Sequence, residues 1–144
     1  MEENTKQAES RRSDFVLEIL ISMVEWAEKN NTTDNGKRSI GITLNVGGIL
    51  ISGELISTKR YMSEFLGGVL RDKMKSVLEE HPDLKQQVED APEGHDEFIH
   101  LRDARFFLPS QRPVPGSSEG VLWRGALEGV DGFFIGRLDV SEGR

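Results

Sequence analysis

The order of apolar and polar residues predicts an amphipathic helix near the N-terminus. Over Phe15 to Lys29 the apolar side chains recur at the spacing of a helix face. Ser13 or Asp14 can cap this helix, because short polar side chains accept hydrogen bonds from the free N–H groups of a first turn. The apolar stripe is wider than one core contact needs, so we expect a helix buried on a sheet or shared with another subunit. Its members are Val16, Ile19, Leu20, Met23, Val24 and Ala27, widened by Phe15, Leu17, Ile21 and Trp26.

Strict alternation of apolar and polar residues follows and predicts a β-hairpin. Every second residue of Ile40–Val46 is apolar, and Gly47-Gly48 supplies a two-residue turn. A turn at these glycines also sets the register, since strands paired across a two-residue loop have fixed partners. The expected pairs are Val46 with Ile49, Leu44 with Ile51, Ile42 with Gly53, and Ile40 with Leu55.

A helical period then returns and predicts a helical insertion between the second and third strands. It begins after Ser57 or Thr58. Gly67-Gly68 costs about 2 kcal/mol relative to two alanines, so the helix should bend or divide there. Pro82 should stop it or open a short second piece. The apolar stripe consists of Met62, Phe65, Leu66, Val69, Leu70, Met74, Val77 and Leu78.

Residues 97–108 have the composition of a third strand. Their period slips between Leu101 and Ala104, which indicates a β-bulge near Arg102-Asp103. Residues 109–120 are rich in proline, glycine and serine, and we expect a flexible loop there.

The segment 121–140 predicts a second hairpin. Asp131-Gly132 lies near its centre, and this dipeptide accepts the positive φ angles of a type I′ turn. The expected register pairs Trp123 with Val140 on one face and Arg124 with Asp139 on the other.

These elements together predict an α+β fold. We expect a small, strongly bent antiparallel β-sheet or barrel, SH3-like or Sm-like, with about five strands. The amphipathic helix precedes it, and the helical insertion separates strands 2 and 3. An open α+β sheet covered by helices is the alternative. Residues 1–12 are expected to be a disordered leader, residues 13–140 a single domain, and residues 141–144 a tail.

Composition and charge narrow the functional classes. The 144 residues include no cysteine, which excludes disulfides, thiolate metal sites and cysteine nucleophiles. A net charge of −7 argues against broad nucleic-acid binding, because that affinity depends on clustered Lys and Arg. The polar N-terminus and the acidic residues Glu18 and Glu25 argue against a signal peptide and a membrane span. We therefore expect a cytoplasmic protein.

Catalytic and metal-binding patterns are weak in this sequence. His95 and His100 are five positions apart, which places them on opposite faces of a strand and argues against a ligand pair. Motifs for a serine nucleophile, a phosphate loop or a dinucleotide site are absent from the sequence. Glu128, Asp131 and Asp139 would need a cleft to act as acid and base, and nothing in the sequence supplies one. We expect no enzyme activity, cofactor or metal.

Three segments are the most family-specific parts of the sequence. They are SIGITLNVGGILISGELISTKRY (residues 39–61), FIHLRDARFF (residues 98–107) and LWRGALEGVDGFFIGRL (residues 122–138). In this order and spacing they resemble the gas vesicle accessory protein GvpU family, and the likeness extends to the helix over residues 14–26. It implies a non-enzymatic bacterial cytoplasmic protein that assists gas vesicle assembly or clustering. Self-association as a homo-oligomer and contact with the vesicle shell or other gas vesicle proteins are implied as well.

The outer face of the expected second hairpin is the candidate interaction surface. It combines Val130, Phe133 and Ile135 with Arg124 and Arg137, a mixture of apolar, aromatic and Arg side chains that is favoured at interface centres. We expect this face to bind another copy of the protein or a vesicle component. The alternative is that the helical insertion packs over it.

An Sm-like RNA-binding oligomer is the alternative function. It rests on the order of one helix and five strands, and on Arg124-Gly125 near the last strands. The net acidity and the low aromatic content of 7% argue against it.

Overall fold

The computed structural model describes residues 13–30, 39–68, 71–90, 97–117 and 119–138. Through these residues run four α-helices and five β-strands. The helices are α1 (Phe15–Lys29), α2 (Thr58–Gly67), α3 (Arg71–Glu80) and α4 (Pro82–Glu89). The strands are β1 (Ile40–Val46), β2 (Ile49–Ile56), β3 (Phe98–Phe107), β4 (Val121–Ala126) and β5 (Gly132–Ile135), and a 3-10 turn, Leu127–Gly129, links β4 to β5. The expected leader and tail lie outside the described residues.

The five strands form one antiparallel sheet in the order β4-β3-β2-β1-β5. β1 and β2 pair in the predicted register, from Val46 with Ile49 to Ile40 with Leu55. Gly47 and Gly48 have φ angles of 61° and 91°, which a type I′ turn requires and other residues seldom adopt. The first hairpin is therefore confirmed.

The predicted bulge is present in β3. Asp103 has a φ of 54°, and the pairing with β4 changes register between Leu101 and Ala104. On the neighbouring strand β2, a Cβ at Gly53 would come within 2.9 Å of the Arg102 carbonyl oxygen. The bulged backbone thus occupies the space that a side chain at position 53 would need.

The predicted second hairpin is wrong. β4 pairs with β3, and β5 pairs with β1, so these two strands are the opposite edges of the sheet. Asp131 does not form a tight turn: its backbone N–H donates to the Asn45 carbonyl at 2.7 Å, and its carboxylate accepts from the Gly47 N–H at 2.8 Å. Asp131 therefore leads the chain into β5 beside β1. The predicted partner of Arg124, Asp139, lies outside the described residues.

The sheet is also not a closed barrel. Among the described residues no ladder of hydrogen bonds joins β4 to β5. The expectation of a strongly bent sheet or barrel is corrected to an open, five-stranded antiparallel sheet, which was the alternative. The α+β class, the N-terminal helix and the helices between β2 and β3 are confirmed.

The core lies between α1 and one face of the sheet. Asp14 caps α1 as expected, because its carboxylate accepts from the N–H groups of Val16 and Leu17. Leu17 and Ile21 of this helix are buried with residues from every strand but β4 and β5, and with Leu127 of the 3-10 turn. The buried cluster consists of Leu17, Ile21, Ile42, Leu44, Ile51, Leu55, Ile99, Leu101, Ala104 and Leu127.

The helical insertion is divided at Gly67-Gly68, as the sequence predicted. α2 ends at Gly67, and α4 starts with Pro82, a residue suited to a first helical position because it lacks an N–H. Ser57 caps α2 by accepting from the Arg60 N–H at 2.9 Å. Glu25 of α1 accepts from the N–H and hydroxyl groups of Thr58, at 2.8 and 2.9 Å, so the start of α2 is joined to α1.

Candidate interaction surfaces

A cluster around His100 occupies the side of β3 that faces α2. His100 is only 2% exposed, and its ring lies 4.6 Å from the ring of Tyr61. Its Nε2 accepts from Arg124 Nε at 3.1 Å, and the Arg124 guanidinium lies 3.7 Å from the centre of the Phe98 ring. Burial, and secondarily the charge of Arg124, lower the pKa of His100 to about 4. The imidazole is therefore neutral near pH 7 and acts as a hydrogen-bond acceptor.

Asp103 of the bulge accepts three hydrogen bonds. Its carboxylate accepts from the Gly120 N–H at 2.6 Å, from Arg137 at 2.7 Å and from Arg105 at 3.3 Å. Partial burial raises the pKa of Asp103, but the hydrogen bonds from Arg137 and Gly120 outweigh it and the pKa is lowered. Arg105 also donates to the Ser117 carbonyl at 2.7 Å. The bulge thus holds both the loop before β4 and the segment after β5.

Arg102 connects the same strand to two other elements. It donates to Glu54 of β2 at 2.7 Å and to Glu64 of α2 at 3.2 Å. Because these carboxylates are paired with arginines across element boundaries, their arrangement stabilises the packing of α2 on the sheet. Within the described ranges, no group of three His, Asp or Glu side chains is placed to hold a metal ion. His95 lies outside those ranges.

The five residues of the predicted interaction surface do not share one face. Val130 and Phe133 are half-buried and pack against the core. Ile135 is 58% exposed on β5, and Arg137, two residues further along, bonds through its guanidinium to Asp103 of β3. Arg124 lies on β4, at the opposite edge of the sheet. The structure therefore keeps Val130, Phe133 and Ile135 at the β5 side, places the Arg137 guanidinium on the bulge of β3, and leaves Arg124 on β4.

The largest apolar surface found on a described helix is the outward side of α1. Five side chains, here named the outer stripe, are each between 42% and 73% exposed. Leu17 and Ile21 are buried on the inward side, with Leu20 and Val24 packed beside them. At about 100° per residue, the two sets occupy adjacent arcs of the helix, each about 100° wide. The outer stripe consists of Phe15, Val16, Ile19, Met23 and Trp26.

From the periodicity of the sequence alone, these two arcs form one broad apolar stripe. The unusual width of that stripe indicates that the helix has apolar side chains beyond those needed for one core contact. Only the packing of Leu17 and Ile21 on the sheet separates the inward residues from the outer stripe.

Comparison with known families shows where the chain belongs. The sequence model of the family described as Gas vesicle protein GvpU-like matches residues 14–138. The chain is a member of this GvpU-like family. The match runs from the N-cap of α1 to the residues just past β5, so it includes all the elements described above. It confirms the resemblance and assigns the chain to a family of gas vesicle proteins, structural rather than catalytic.

No curated protein and no solved structure matches this chain. Among the helices of the described residues, none is long and apolar enough to cross a membrane.

Proposed function

We propose that this chain is a non-enzymatic accessory protein of the cytoplasm that helps gas vesicles assemble or gather into clusters. It does so by associating with itself as a homo-oligomer and by contacting the vesicle shell or another gas vesicle protein. The observation that carries the proposal is the family match over residues 14–138. A protein that links vesicles needs at least two contact surfaces, one for the vesicle and one for a further copy.

The exposed side chains of the β5 edge support a contact role. Phe134 and Ile135 are exposed, and β5 is an edge strand with only β1 beside it. Edge strands present unpaired backbone groups to which another chain can add. We assign the vesicle contact to this edge, with Ile135 from the predicted surface at its exposed part and Val130 and Phe133 supporting it from the core side. Arg137 lies away from this edge, because its guanidinium bonds to Asp103 of β3.

Arg124 belongs to a different part of the proposed surface. It lies on the β4 edge, where its guanidinium already contacts Phe98 and His100. In this proposal Arg124 makes a second, separate contact, because the opposite edges of one sheet face different directions.

An Sm-like RNA-binding oligomer is the alternative function. It is favoured by the N-terminal helix followed by five antiparallel strands. The net charge of −7 counts against it. Resemblance of architecture does not by itself assign RNA binding.

Mixing the purified protein with isolated gas vesicles tests the proposal. We expect the protein to float with the vesicles and to cluster them, as seen by light scattering and microscopy. The variant F134S/I135S should lose vesicle binding while keeping its circular dichroism spectrum, because both side chains are exposed. V114S is the matched control, since Val114 is an exposed apolar residue of the loop before β4. A protein that neither binds nor clusters vesicles would contradict the proposal, and RNA binding at physiological salt would favour the alternative.

A further inference from the structure

We propose that the outer stripe of α1 is a dimer contact, in which it packs against the same stripe of a second copy with the two helices antiparallel about a two-fold axis. This inference rests on the proposed function in one respect, since it supplies the self-association which that function requires. It assigns that role to α1 rather than to the strand edges.

The area of the stripe suits a dimer. Given about 150–250 Å² for an aromatic side chain, the exposed fractions of its five members leave on the order of 600 Å² of apolar surface. The largest apolar patch on a monomer is about 300–600 Å², and a stable interface buries about 800 Å² on each partner. The apolar area of the stripe is thus at the upper end of the range for patches on monomers. It also amounts to most of the area that one subunit buries in a stable dimer.

The two segments that flank α1 in the sequence offer no apolar cover for the stripe. Residues 1–12, which precede α1 directly, contain only Met1 and Ala8 as apolar residues, and residues 31–38, which follow it, contain none. Covering five large apolar side chains requires other large apolar side chains, because burial is favourable in proportion to the apolar area removed from water. A second copy of α1 provides such large apolar side chains.

The order of residues along the stripe is self-complementary. Phe15 and Trp26 lie at its two ends, with Ile19 and Met23 between them. In an antiparallel pair Phe15 would lie beside Trp26 of the partner subunit, and the aliphatic residues would meet at the axis. Ser22, exposed and small, allows close approach of the two helices near that axis.

Two acidic residues of α1 are turned away from the stripe. Glu25 is bonded to Thr58 of α2, and Glu28 is in contact with the Ser57 hydroxyl at 3.4 Å, so both carboxylates face α2. The stripe itself contains no charged side chain. Absence of charge with enrichment in aromatic residues and Met is the composition of interface centres.

Measuring the molar mass of the full chain tests the inference. Sedimentation equilibrium should give a dimer for the native protein and a monomer for I19E/M23E at the same concentration, with at least a tenfold weaker association. Both side chains are exposed in the monomer, so the variant should keep its circular dichroism spectrum and its unfolding midpoint. V114E, which adds a charge at an exposed apolar position off the helix, should remain dimeric.

Cross-linking tests the geometry independently of folding effects. The native sequence has no cysteine, so S22C introduces the only thiol. Mild oxidation should convert S22C to a covalent dimer in high yield, whereas S63C, at an exposed serine of α2, should stay mostly monomeric. A monomeric native protein, a dimer unaffected by I19E/M23E, or equal cross-linking of both cysteine variants would overturn the inference.

The two proposals fail separately. If the protein dimerises through α1 but ignores vesicles, the function is wrong and the dimer contact stands. If it clusters vesicles while sedimenting as a monomer, the dimer contact is wrong and the function stands. A monomer in which I19E/M23E loses vesicle binding would show that the stripe contacts the vesicle instead, which also overturns the inference.

Discussion

Individual polar side chains of β3 connect this strand to its surroundings. Arg102 reaches β2 and α2, Asp103 holds the segments that precede β4 and follow β5, and His100 accepts from Arg124. The ion pairs of Arg102 and Asp103 are partly exposed, so each contributes only about 0–1 kcal/mol. Their main effect is to connect β3 with the elements around it, and single substitutions at the bulge should loosen these connections.

Protonation of His100 should reduce stability between pH 6.5 and about 4. Its pKa in the folded protein is lowered to about 4, so in this window the unfolded chain binds a proton that the folded protein does not. The stabilisation is complete above pH 6.5 and is lost as the pH falls, by roughly 3 kcal/mol in total. Urea unfolding of the native protein and of H100Q from pH 7 to pH 4 measures this, and the variant should show the flatter profile. Equal slopes for the two proteins would contradict the role of His100.

Substitution of Gly53 should destabilise the bulge. In G53A the new methyl group would lie 2.9 Å from the Arg102 carbonyl oxygen and 3.1 Å from the Ala104 Cα, both of them backbone atoms. Overpacking of this kind costs about 1–3 kcal/mol. G129A is the matched control, because a Cβ there meets nothing within 4 Å and should change stability by less than about 0.5 kcal/mol. Chemical denaturation compares the two, and equal midpoints would show that the bulge can adjust.

At the scale of elements, the connection from β4 to β5 determines the sheet. Leu127 is 1% exposed and belongs to the core, so the chain turns inward after β4 instead of continuing as a strand. Asp131 then bonds to Asn45 and Gly47 at the turn of the first hairpin. These two attachments bring β5 to β1 and leave β4 on β3.

Nuclear magnetic resonance can verify this strand order directly. Backbone contacts should link Phe134 to Thr43 and Trp123 to Leu101, the pairs of the observed ladders. The hairpin expected from sequence would instead give contacts between Trp123 and Val140. Detecting that pair would show that β4 and β5 are neighbours after all.

At the scale of the whole molecule, net charge and apolar surface act in opposite directions. A charge of −7 keeps copies apart at long range, whereas the outer stripe of α1 favours their association at contact. Salt screens the first effect over about 10 Å at 0.1 M and leaves the second unchanged.

The association of the protein with itself should therefore tighten as salt is added. We expect the dimer dissociation constant to fall from 0.05 to 0.5 M sodium chloride, and to fall further with sulfate, which strengthens apolar burial. Sedimentation equilibrium across this series measures it. Weakening by salt would indicate that charge pairs, not the outer stripe, hold the copies together.

The sequence by itself determined the features whose causes lie close together along the chain. Gly47-Gly48 and the alternation around it specify the first hairpin, and the slip between Leu101 and Ala104 specifies the bulge. Gly67-Gly68 and Pro82 divide the helical insertion, and three quoted segments pointed to the family that the comparison confirms. For the hairpin, the bulge and the divided helix, the preference of a few neighbouring residues was enough.

Only the tertiary structure decided the arrangement that depends on distant partners. Asp131-Gly132 suits a turn in isolation, but the Asp131 carboxylate bonds to Gly47, 84 positions away, and Leu127 is buried in the core. The same holds for α1, where contact with the sheet separates the buried side from the outer stripe. A local pattern states which conformations a segment can adopt. Burial and long-range hydrogen bonds select among them, because their free energy depends on residues that the segment does not contain.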